Sequence, residues 1–272
     1  MDMRQPGKHK SGAEATDMEH NEEDKNRYTD KEYWESYYRD SPIRVETVKR
    51  IVGEYNTYWD KLIASCSRRP ETIIEIGAYP GRYLACLADK YLLKPTALDY
   101  NSDVSKIEAC FRAFGVSEYT LVQEDFLNYR PDRKYDLVLS NGFAEHFTNY
   151  DEVLDRHCSY LAPGGAMLIM IPNKRFLRKY YGLLTDRANL RIHNLDIMRL
   201  EVFRNFGMRN HLKTEFIGYH GGFNYNTHQE LNPVQKGIKR FFRLCFSRLN
   251  PWIRKHPNKY LSSTIIAIYS KR

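Results

Sequence analysis

The chain has 272 residues, 42% of them hydrophobic, and a formal net charge of +8. This length suits one α/β domain with additions, or two small domains. No apolar run approaches the roughly 18 residues that a membrane-spanning helix needs, and the first residues contain no hydrophobic signal core. We therefore expect a soluble, cytoplasmic protein. The five cysteines are scattered without a C-x-x-C pair, which favours reduced thiols, and no motif predicts a metal site.

The charge is concentrated in the last third of the chain. Residues 171–272 contain 20 Lys and Arg but 5 Asp and Glu, whereas residues 1–170 are net acidic. Such a basic region either faces an anionic surface or substrate, or is an ordinary solvated face.

The N-terminal region changes character at about residue 27. Residues 1–26 are polar and highly charged, so they bury too little apolar surface to offset the entropy of ordering, and we expect a disordered tail. Aromatic residues then cluster around Trp34 and Tyr37, and residues 43–63 carry apolar side chains at helical spacing. We expect residues 27–70 to form a helical cap. Its aromatic segment packs either over a ligand site or simply against the core.

A strand, a tight turn and a helix start are predicted within residues 72–91. An Ile-rich run reaches Glu75 and breaks at Gly77 and Gly81, after which helical spacing resumes. Glu75 would repel a pyrophosphate at this turn and attract an amine. The G-x-G-x-x-G spacing of a nicotinamide site is also absent.

Strands and helices alternate from this point. Further strands are predicted at 95–99, 119–123, 135–140 and 167–171, with helical patterns between them. Candidate N-caps of two of these helices are Asn101 or Ser102 and Asn149, and a later helix over 194–206 is predicted to end at Gly207. This alternation predicts an α/β fold with a doubly wound, mostly parallel sheet. Asp99 ends the second strand, where a carboxylate can accept hydrogen bonds from both hydroxyls of a ribose. That position indicates a nucleoside cofactor without identifying which one.

Taken together, these elements resemble the class I S-adenosylmethionine-dependent methyltransferases. Residues 75–81, Glu-Ile-Gly-Ala-Tyr-Pro-Gly, are similar to the family's acid-x-Gly-x-Gly-x-Gly motif, with Tyr79 at the position of the middle glycine. Residues 135–172 resemble the family's order of strand, Glu-His, helix, Leu-x-Pro-Gly-Gly and strand. The resemblance implies that residues 71–272 form a Rossmann-like methyltransferase domain with a seven-stranded sheet whose last strand, near 264–269, is antiparallel.

The resemblance also implies S-adenosylmethionine as the cofactor. In the family, the acid after the third strand accepts a hydrogen bond from the adenine amino group and the next side chain covers the ring; Asp125 and Phe126 stand there. The residues expected to bind the cofactor are Glu75, Gly77, Ala78, Gly81, Asp99, Tyr100, Asp125, Phe126 and Asn141.

Methyl transfer to a hydroxyl requires a general base, and histidine is the usual one. His146 follows the fourth strand, on the edge where open α/β sheets bind ligands, and is the first candidate. A Glu-His pair at this position also occurs in the family with a structural role, so both interpretations stay open. His193 and His220, after the fifth and sixth strands, are the alternatives.

An insertion is predicted before the last strand, at residues 221–260. Within it, residues 233–249 place apolar side chains on one face of a helix and basic side chains on the others. This basic amphipathic helix predicts either a lid over a substrate pocket or a peripheral contact, through residues 233–256, with the inner face of a membrane.

Residues 218–224 and 258–262 are similar to methyltransferases of bacterial polysaccharide biosynthesis. This similarity implies a hydroxyl of a small molecule or glycan as the acceptor. A nucleic acid is disfavoured, because residues 140–143 are Ser-Asn-Gly-Phe rather than the Asn/Asp-Pro-Pro-aromatic sequence of base-amine methyltransferases, and there is no RNA-binding module. A lipid or quinone methyltransferase at a membrane surface and a non-catalytic scaffold remain as alternatives.

Overall fold

The computed structural model describes residues 26–38 and 42–272. The predicted tail therefore lies outside the described residues, except for Asn26. Within these ranges, three helices precede the sheet: α1 (Lys31–Tyr38), α2 (Val45–Gly53) and α3 (Asn56–Ala64). The single helix predicted over 43–63 is wrong, because the chain leaves helical geometry at Tyr55. The Trp59 indole donates to the Val52 carbonyl (2.8 Å), which stabilises the break.

Seven strands form one sheet. They are β1 (Thr72–Ile76), β2 (Lys94–Leu98), β3 (Thr120–Val122), β4 (Tyr135–Asn141), β5 (Leu161–Pro172), β6 (Lys213–His220) and β7 (Thr264–Ser270). The spatial order is β3-β2-β1-β4-β5-β7-β6. Strands β1 to β5 pair in parallel, while β7 lies antiparallel between β5 and β6. This confirms the predicted doubly wound, mostly parallel sheet with an antiparallel last strand.

Helices cover both faces of the sheet. They are α4 (Arg82–Tyr91), α5 (Ser105–Ala113), α6 (Tyr150–His157), α7 (Leu177–Thr185), α8 (Arg187–Arg191), α9 (Leu200–Arg209) and α10 (Pro233–Lys255). The central strands are apolar on both faces, as parallel strands between two helical layers must be. Ile73 and Leu137 lie in the core on one face, and Ile74 and Val138 lie in the core on the other.

The cap predicted at Asn101 or Ser102 is wrong, whereas the cap position predicted at Asn149 is confirmed without a side-chain hydrogen bond. Helix α5 begins at Ser105 rather than after Asn101, whose side chain is buried. The Asp103 carboxylate instead accepts from the Ser105 backbone N–H (3.0 Å). Asn149 does stand at the N-cap position of α6, but its side-chain amide donates to the Glu152 carboxylate (2.9 Å) and makes no cap hydrogen bond.

The sequence predicts that Gly207 ends a helix. In the structure, Gly207 lies inside α9 instead. A Cβ at this position would lie 2.9 Å from Cε1 of Tyr269 on β7. The glycine therefore lets the helix approach the sheet closely, and the Tyr269 hydroxyl donates to the Phe203 carbonyl (2.7 Å) across the same contact. The physical reason for the glycine is packing, not helix termination.

Helix α10 forms the core of the predicted insertion. It begins with a capping box in which Asn232 and Gln235 each accept from the other's backbone N–H. Phe246 and Ile253 are buried against α7 and the loop after β6, in a small cluster with Tyr181. Among the described residues, no helix is long and apolar enough to cross a bilayer.

Candidate functional site

The strand register brings three loops to one edge of the sheet. Ile76 of β1 pairs with Leu98 of β2 on one side and with Ser140 of β4 on the other. The carboxyl ends of these parallel strands therefore lie side by side, which is where open α/β sheets bind ligands. Two cavities lie at this edge, one of about 610 Å³ and one of about 70 Å³. Both are lined by Trp34, Tyr38, Asn141, Gly142 and His146.

The turn after β1 supports the smaller cavity. The buried Glu75 carboxylate accepts from the Leu84 backbone N–H (3.1 Å), and burial raises the pKa of Glu75 well above its ordinary value. Gly77 has φ +70°, and a Cβ there would lie 2.5 Å from Cδ2 of Phe143 in the loop after β4. Gly77 therefore lines the cavity, whereas Glu75 does not line it and bonds to the start of α4 instead.

Ala78 and Gly81 lie within the same turn. Gly81 stands at the N-cap of α4 with φ +88°, a left-handed conformation that favours glycine. Its backbone N–H donates to the Ala78 carbonyl (2.5 Å). Both residues therefore shape the turn through the backbone.

Asp99 lines the smaller cavity, as the sequence predicted for a ribose-binding residue. Its two oxygens accept from the backbone N–H groups of Tyr79 and Asn101, each at 2.9 Å. Burial raises the pKa of Asp99, although these two donors act in the opposite direction. A carboxylate has about four acceptor sites, so the Asp99 carboxylate is held in place with capacity for further donors.

Asp125 has a partner that the sequence did not predict. The Arg27 guanidinium forms an ion pair with the Asp125 carboxylate. The guanidinium also lies 5.1 Å from the ring centre of Tyr100 and 5.3 Å from that of Phe147. The acceptor predicted for an adenine amino group is therefore already engaged by another planar N–H donor.

Phe126 does not line either cavity. Its ring stacks on Tyr160 at 5.6 Å and meets Phe143 edge-on at 5.3 Å, within the core. The Phe126 side chain is therefore buried in the core beneath the smaller cavity, and Phe143 lines the cavity instead.

The segment 26–38 covers the smaller cavity. The Tyr28 backbone N–H donates to the His146 carbonyl (2.9 Å), and the Trp34 ring meets the His146 ring edge-on at 4.9 Å. At about 70 Å³, the smaller cavity is well below the several hundred Å³ of common ligand pockets. Arg27, Trp34 and Tyr38 of this segment form part of its lining. For the aromatic cluster in this segment, the sequence left a ligand cover and core packing as alternatives, and no sequence signal singled out Arg27.

His146 is the only one of the three predicted histidines that lines both cavities. Its Nδ1 lies 2.7 Å from the Ile192 carbonyl oxygen. Since a carbonyl can only accept, the proton is on Nδ1 and Nε2 carries a free lone pair. Burial lowers the pKa of His146 to about 4, so the imidazole is neutral at pH 7.

His193 lies next to His146, whereas His220 does not. The ring centres of His146 and His193 are 4.6 Å apart, and Nδ1 of His193 lies 2.6 Å from the Asn189 carbonyl oxygen. Burial lowers the pKa of His193 well below its ordinary value. His220 lines the larger cavity too, but its ring contacts Tyr55 and Tyr58.

Glu145 and Lys174 complete a group of buried titratable side chains. Oε1 of Glu145 lies 3.9 Å from Nε2 of His146, and burial raises the pKa of Glu145 to about 8. Lys174 stands two residues after the end of β5 and donates to the Asn189 side chain (2.9 Å). Burial lowers the pKa of Lys174 to about 7. Sequence reasoning missed Lys174, although its position just after a central strand could have indicated it.

The same group contains the atoms of a conceivable metal site, which the sequence did not predict. Candidate ligand atoms of Glu145, His146 and His193 all lie within 4.8 Å of one another. However, the Lys174 Nζ lies 3.4 Å from Nδ1 of His193, where an ammonium would repel a metal cation. The arrangement therefore favours proton handling.

The comparisons with known proteins agree with this geometry. A family described as "methyltransferase domain" matches residues 51–234. The chain belongs to this methyltransferase family. The assignment confirms the predicted enzyme class, an S-adenosylmethionine-dependent methyltransferase, and with it the predicted cofactor.

Solved methyltransferases share the fold. Coclaurine N-methyltransferase bound to N-methylheliamine and S-adenosylhomocysteine has a TM-score of 0.54 and 13% identity over 90% of this chain and 76% of that one. A methyltransferase of Geobacter sulfurreducens in complex with S-adenosylhomocysteine has a TM-score of 0.51 and 15% identity, covering 81% of this chain and 91% of that one. The plantazolicin methyltransferase BpumL has a TM-score of 0.50 and 15% identity, covering 88% and 94%. Comparison with curated proteins gave no match.

The raised pKa of Glu145 gives the methyltransferase a characteristic pH dependence. Between its ordinary value of 4.5 and about 8, the folded state retains a proton that the unfolded state releases. The free energy of unfolding should therefore fall as pH rises through this window, by at most about 1.4 kcal/mol per pH unit. Glu145→Gln should remove this contribution, as measured by chemical denaturation from pH 5 to pH 8.

The exposed Glu118 provides the matched control. Glu118→Gln makes the same change in charge and should keep the wild-type pH dependence. Equal slopes for Glu145→Gln and the wild type would show that Glu145 titrates normally in the fold.

Proposed function

We propose that this methyltransferase transfers the methyl group to a hydroxyl of a small molecule or glycan bound in the larger cavity, with His146 as the general base. The observation that carries the proposal is the position of His146 where the two cavities meet, with an unprotonated Nε2. S-adenosylmethionine supplies an electrophilic methyl group when bound. The protein has to align the acceptor and remove its proton.

Each neighbour of His146 has a defined part in this scheme. The Ile192 carbonyl fixes the ring through Nδ1, so that Nε2 is the atom that takes the hydroxyl proton. The Glu145 carboxyl group lies 3.9 Å from Nε2 and keeps its proton at pH 7, so it faces the imidazolium that results as a neutral dipole rather than as a counter-charge. The aromatic residues of α1 exclude water from the junction of the cavities, which strengthens both interactions.

The residues around the smaller cavity fit the cofactor. Asp99 offers a fixed carboxylate with free acceptor capacity for the ribose hydroxyls. Gly77 leaves room beside Phe143 that a side chain would fill. Asp125 accepts from an adenine amino group once Arg27 releases it, so cofactor binding exchanges one N–H donor for another.

The lining of the larger cavity supports a glycan acceptor. One wall is aromatic, with Tyr33, Trp34 and Tyr37 from α1, and the loop after β6 adds the amides of Asn224 and Asn226. Aromatic rings pack on the apolar faces of sugar rings, and side-chain amides both donate to and accept from hydroxyls. A few placed polar groups among aromatic residues are typical of small-molecule sites.

Substitution of His146 tests the base directly. His146→Asn should lower kcat by about 10²- to 10⁴-fold, the usual contribution of general base catalysis, while affinity for S-adenosylhomocysteine stays within a few-fold. Initial rates would be measured with an acceptor found by screening nucleotide sugars and lipid-linked glycans.

His211 serves as the control because it is exposed and lines neither cavity. His211→Asn should leave kcat unchanged, and asparagine tolerates the positive φ of this residue. A normal rate for His146→Asn would transfer the role to His193.

A second candidate function places the enzyme at an anionic membrane surface, acting on a lipid-linked acceptor. The outward side of α10 exposes five large apolar residues: Val234, Phe241, Leu244, Leu249 and Trp252. Residues 231–272 contain ten Lys and Arg and no Asp or Glu, so the charge around this apolar face is uniformly basic. Asn250 and Arg254 of the same helix line the larger cavity, which would bring the acceptor site to the lipid surface.

Vesicle co-sedimentation tests this candidate. The protein should bind vesicles containing phosphatidylglycerol, bind neutral phosphatidylcholine vesicles much less, and lose binding in Phe241→Ser/Trp252→Ser, because apolar area and basic charge act together. Leu92→Ser/Met208→Ser removes two exposed apolar residues elsewhere and should bind like the wild type. Equal sedimentation of both double variants would contradict the membrane role of α10.

A further inference from the structure

The larger cavity contains a buried cation that the reaction described above does not use. Arg178 lies in the first turn of α7 and lines this cavity. Its Nε and Nη1 atoms are shielded from solvent and have no hydrogen-bond partner among the described residues. A buried charged donor without a partner costs free energy, so a protein retains one where a ligand supplies the partner.

Carboxylates near Arg178 do not neutralise it. Burial lowers its pKa to about 10, and the group that acts against this lowering is the Tyr181 hydroxyl rather than an acid. The acids that line the cavity are engaged or protonated: Glu54 pairs with Arg254 (3.4 Å), and Glu145 has its pKa raised to about 8. Asp186, near Lys174, accepts from His228 and Asn189.

A second cation lies beside the first. Lys174 and Arg178 are close enough to lower the pKa of Lys174, and Lys174 Nζ lies 3.4 Å from Nδ1 of His193. His193 in turn packs on His146. The two cations therefore line the same cavity as His146, the candidate base, and His193 lies between Lys174 and His146.

We propose that Arg178, assisted by Lys174, binds an oxyanion of the acceptor, a phosphate or a carboxylate, next to the hydroxyl that is methylated. A guanidinium presents parallel N–H donors that match two oxygens of such a group, and a lysine adds a point charge. The inference rests on the proposed function for the identity of the reaction and names the class of acceptor: an anionic sugar or small molecule.

Arg178 also makes a weak contact with an aromatic ring. The guanidinium lies 5.9 Å from the ring centre of Phe223, at the outer limit of a cation–π contact. If the contact with Phe223 stabilises the fold, removing the charge of Arg178 should lower the melting temperature. If Arg178 instead binds an anion, Arg178→Met, which keeps the apolar stem, should leave the ligand-free melting temperature unchanged or higher.

Anion titration tests the proposal. Thermal unfolding would be followed at pH 7 and constant ionic strength with inorganic phosphate, sulfate or acetate replacing chloride. Phosphate should raise the melting temperature of the wild type, and Arg178→Met should need at least about tenfold more phosphate for the same rise, the scale of one lost charged hydrogen bond. A response to phosphate and sulfate alone identifies a phosphoryl group, and an equal response to acetate identifies a carboxylate.

The controls separate this inference from the proposed function. Lys179→Met removes an exposed cation from the next position of α7 and should respond like the wild type. Arg178→Lys, which keeps the charge but not the planar donors, should weaken the phosphate response if Arg178→Met does not fold. No response of the wild type to any anion, or an unchanged response of the Arg178 variants, would overturn the anion site.

Calorimetric binding of S-adenosylhomocysteine to the same proteins reports on the enzyme itself. Intact cofactor-product binding without an anion response would overturn the anion site alone. An anion response without any binding of S-adenosylhomocysteine would instead count against the proposed function.

Discussion

The parallel pairing of β1 with β2 and β4 is the constraint on which the site depends. The register aligns Ile76 with Leu98 and with Ser140, so the chain leaves all three strands at one level. The approach of Gly77 to Phe143 is so close that no side chain fits between them. This contact joins the turn after β1 to the loop that carries His146, the residue that lines both cavities.

The site is built from titratable groups that the fold has removed from water. Glu145, His146, His193 and Lys174 all have pKa values displaced by burial, and most of them toward the neutral form at pH 7. Arg178 keeps its charge, and its Nε and Nη1 have no hydrogen-bond partner among the described residues. Such groups lower stability, and clusters of them mark functional sites more often than structural ones. Under the proposed function, this cluster would take the proton of an acceptor hydroxyl and bind an anionic group of the same acceptor.

The two proposals about the acceptor are mutually consistent. An anionic group beside the methylated hydroxyl suits a nucleotide-linked or lipid-linked glycan, and the basic, partly apolar face of α10 lies beside the same cavity. The aromatic wall of α1 would then contact the sugar, while Arg178 would contact the oxyanion. Both contacts are open to one acceptor, because the aromatic residues of α1 and Arg178 line the same cavity.

Periodicity predicted the alternating strands and helices, because each depends on a short stretch of sequence, and the family resemblance supplied the antiparallel last strand. Periodicity failed where tertiary contacts decide: Gly207 reads as a helix end but serves packing against Tyr269. Asp99 and His146 line the cavities while Phe126 packs on Tyr160 in the core, and the roles assigned to these three residues stay predictions. Arg27 and Arg178 were missed because their importance lies in what surrounds them: Asp125 for one, and the absence of a described partner for the other.

Calorimetric titration with S-adenosylhomocysteine of the wild type and Asp99→Ala tests the central claim, that the smaller cavity is the cofactor site. The account predicts micromolar binding to the wild type and binding weaker by about 1–3 kcal/mol in Asp99→Ala, since buried hydroxyls would lose their acceptor. Asp132→Ala, at an exposed position, should bind like the wild type. No binding to the wild type, or equal affinity in a folded Asp99→Ala variant, would contradict it.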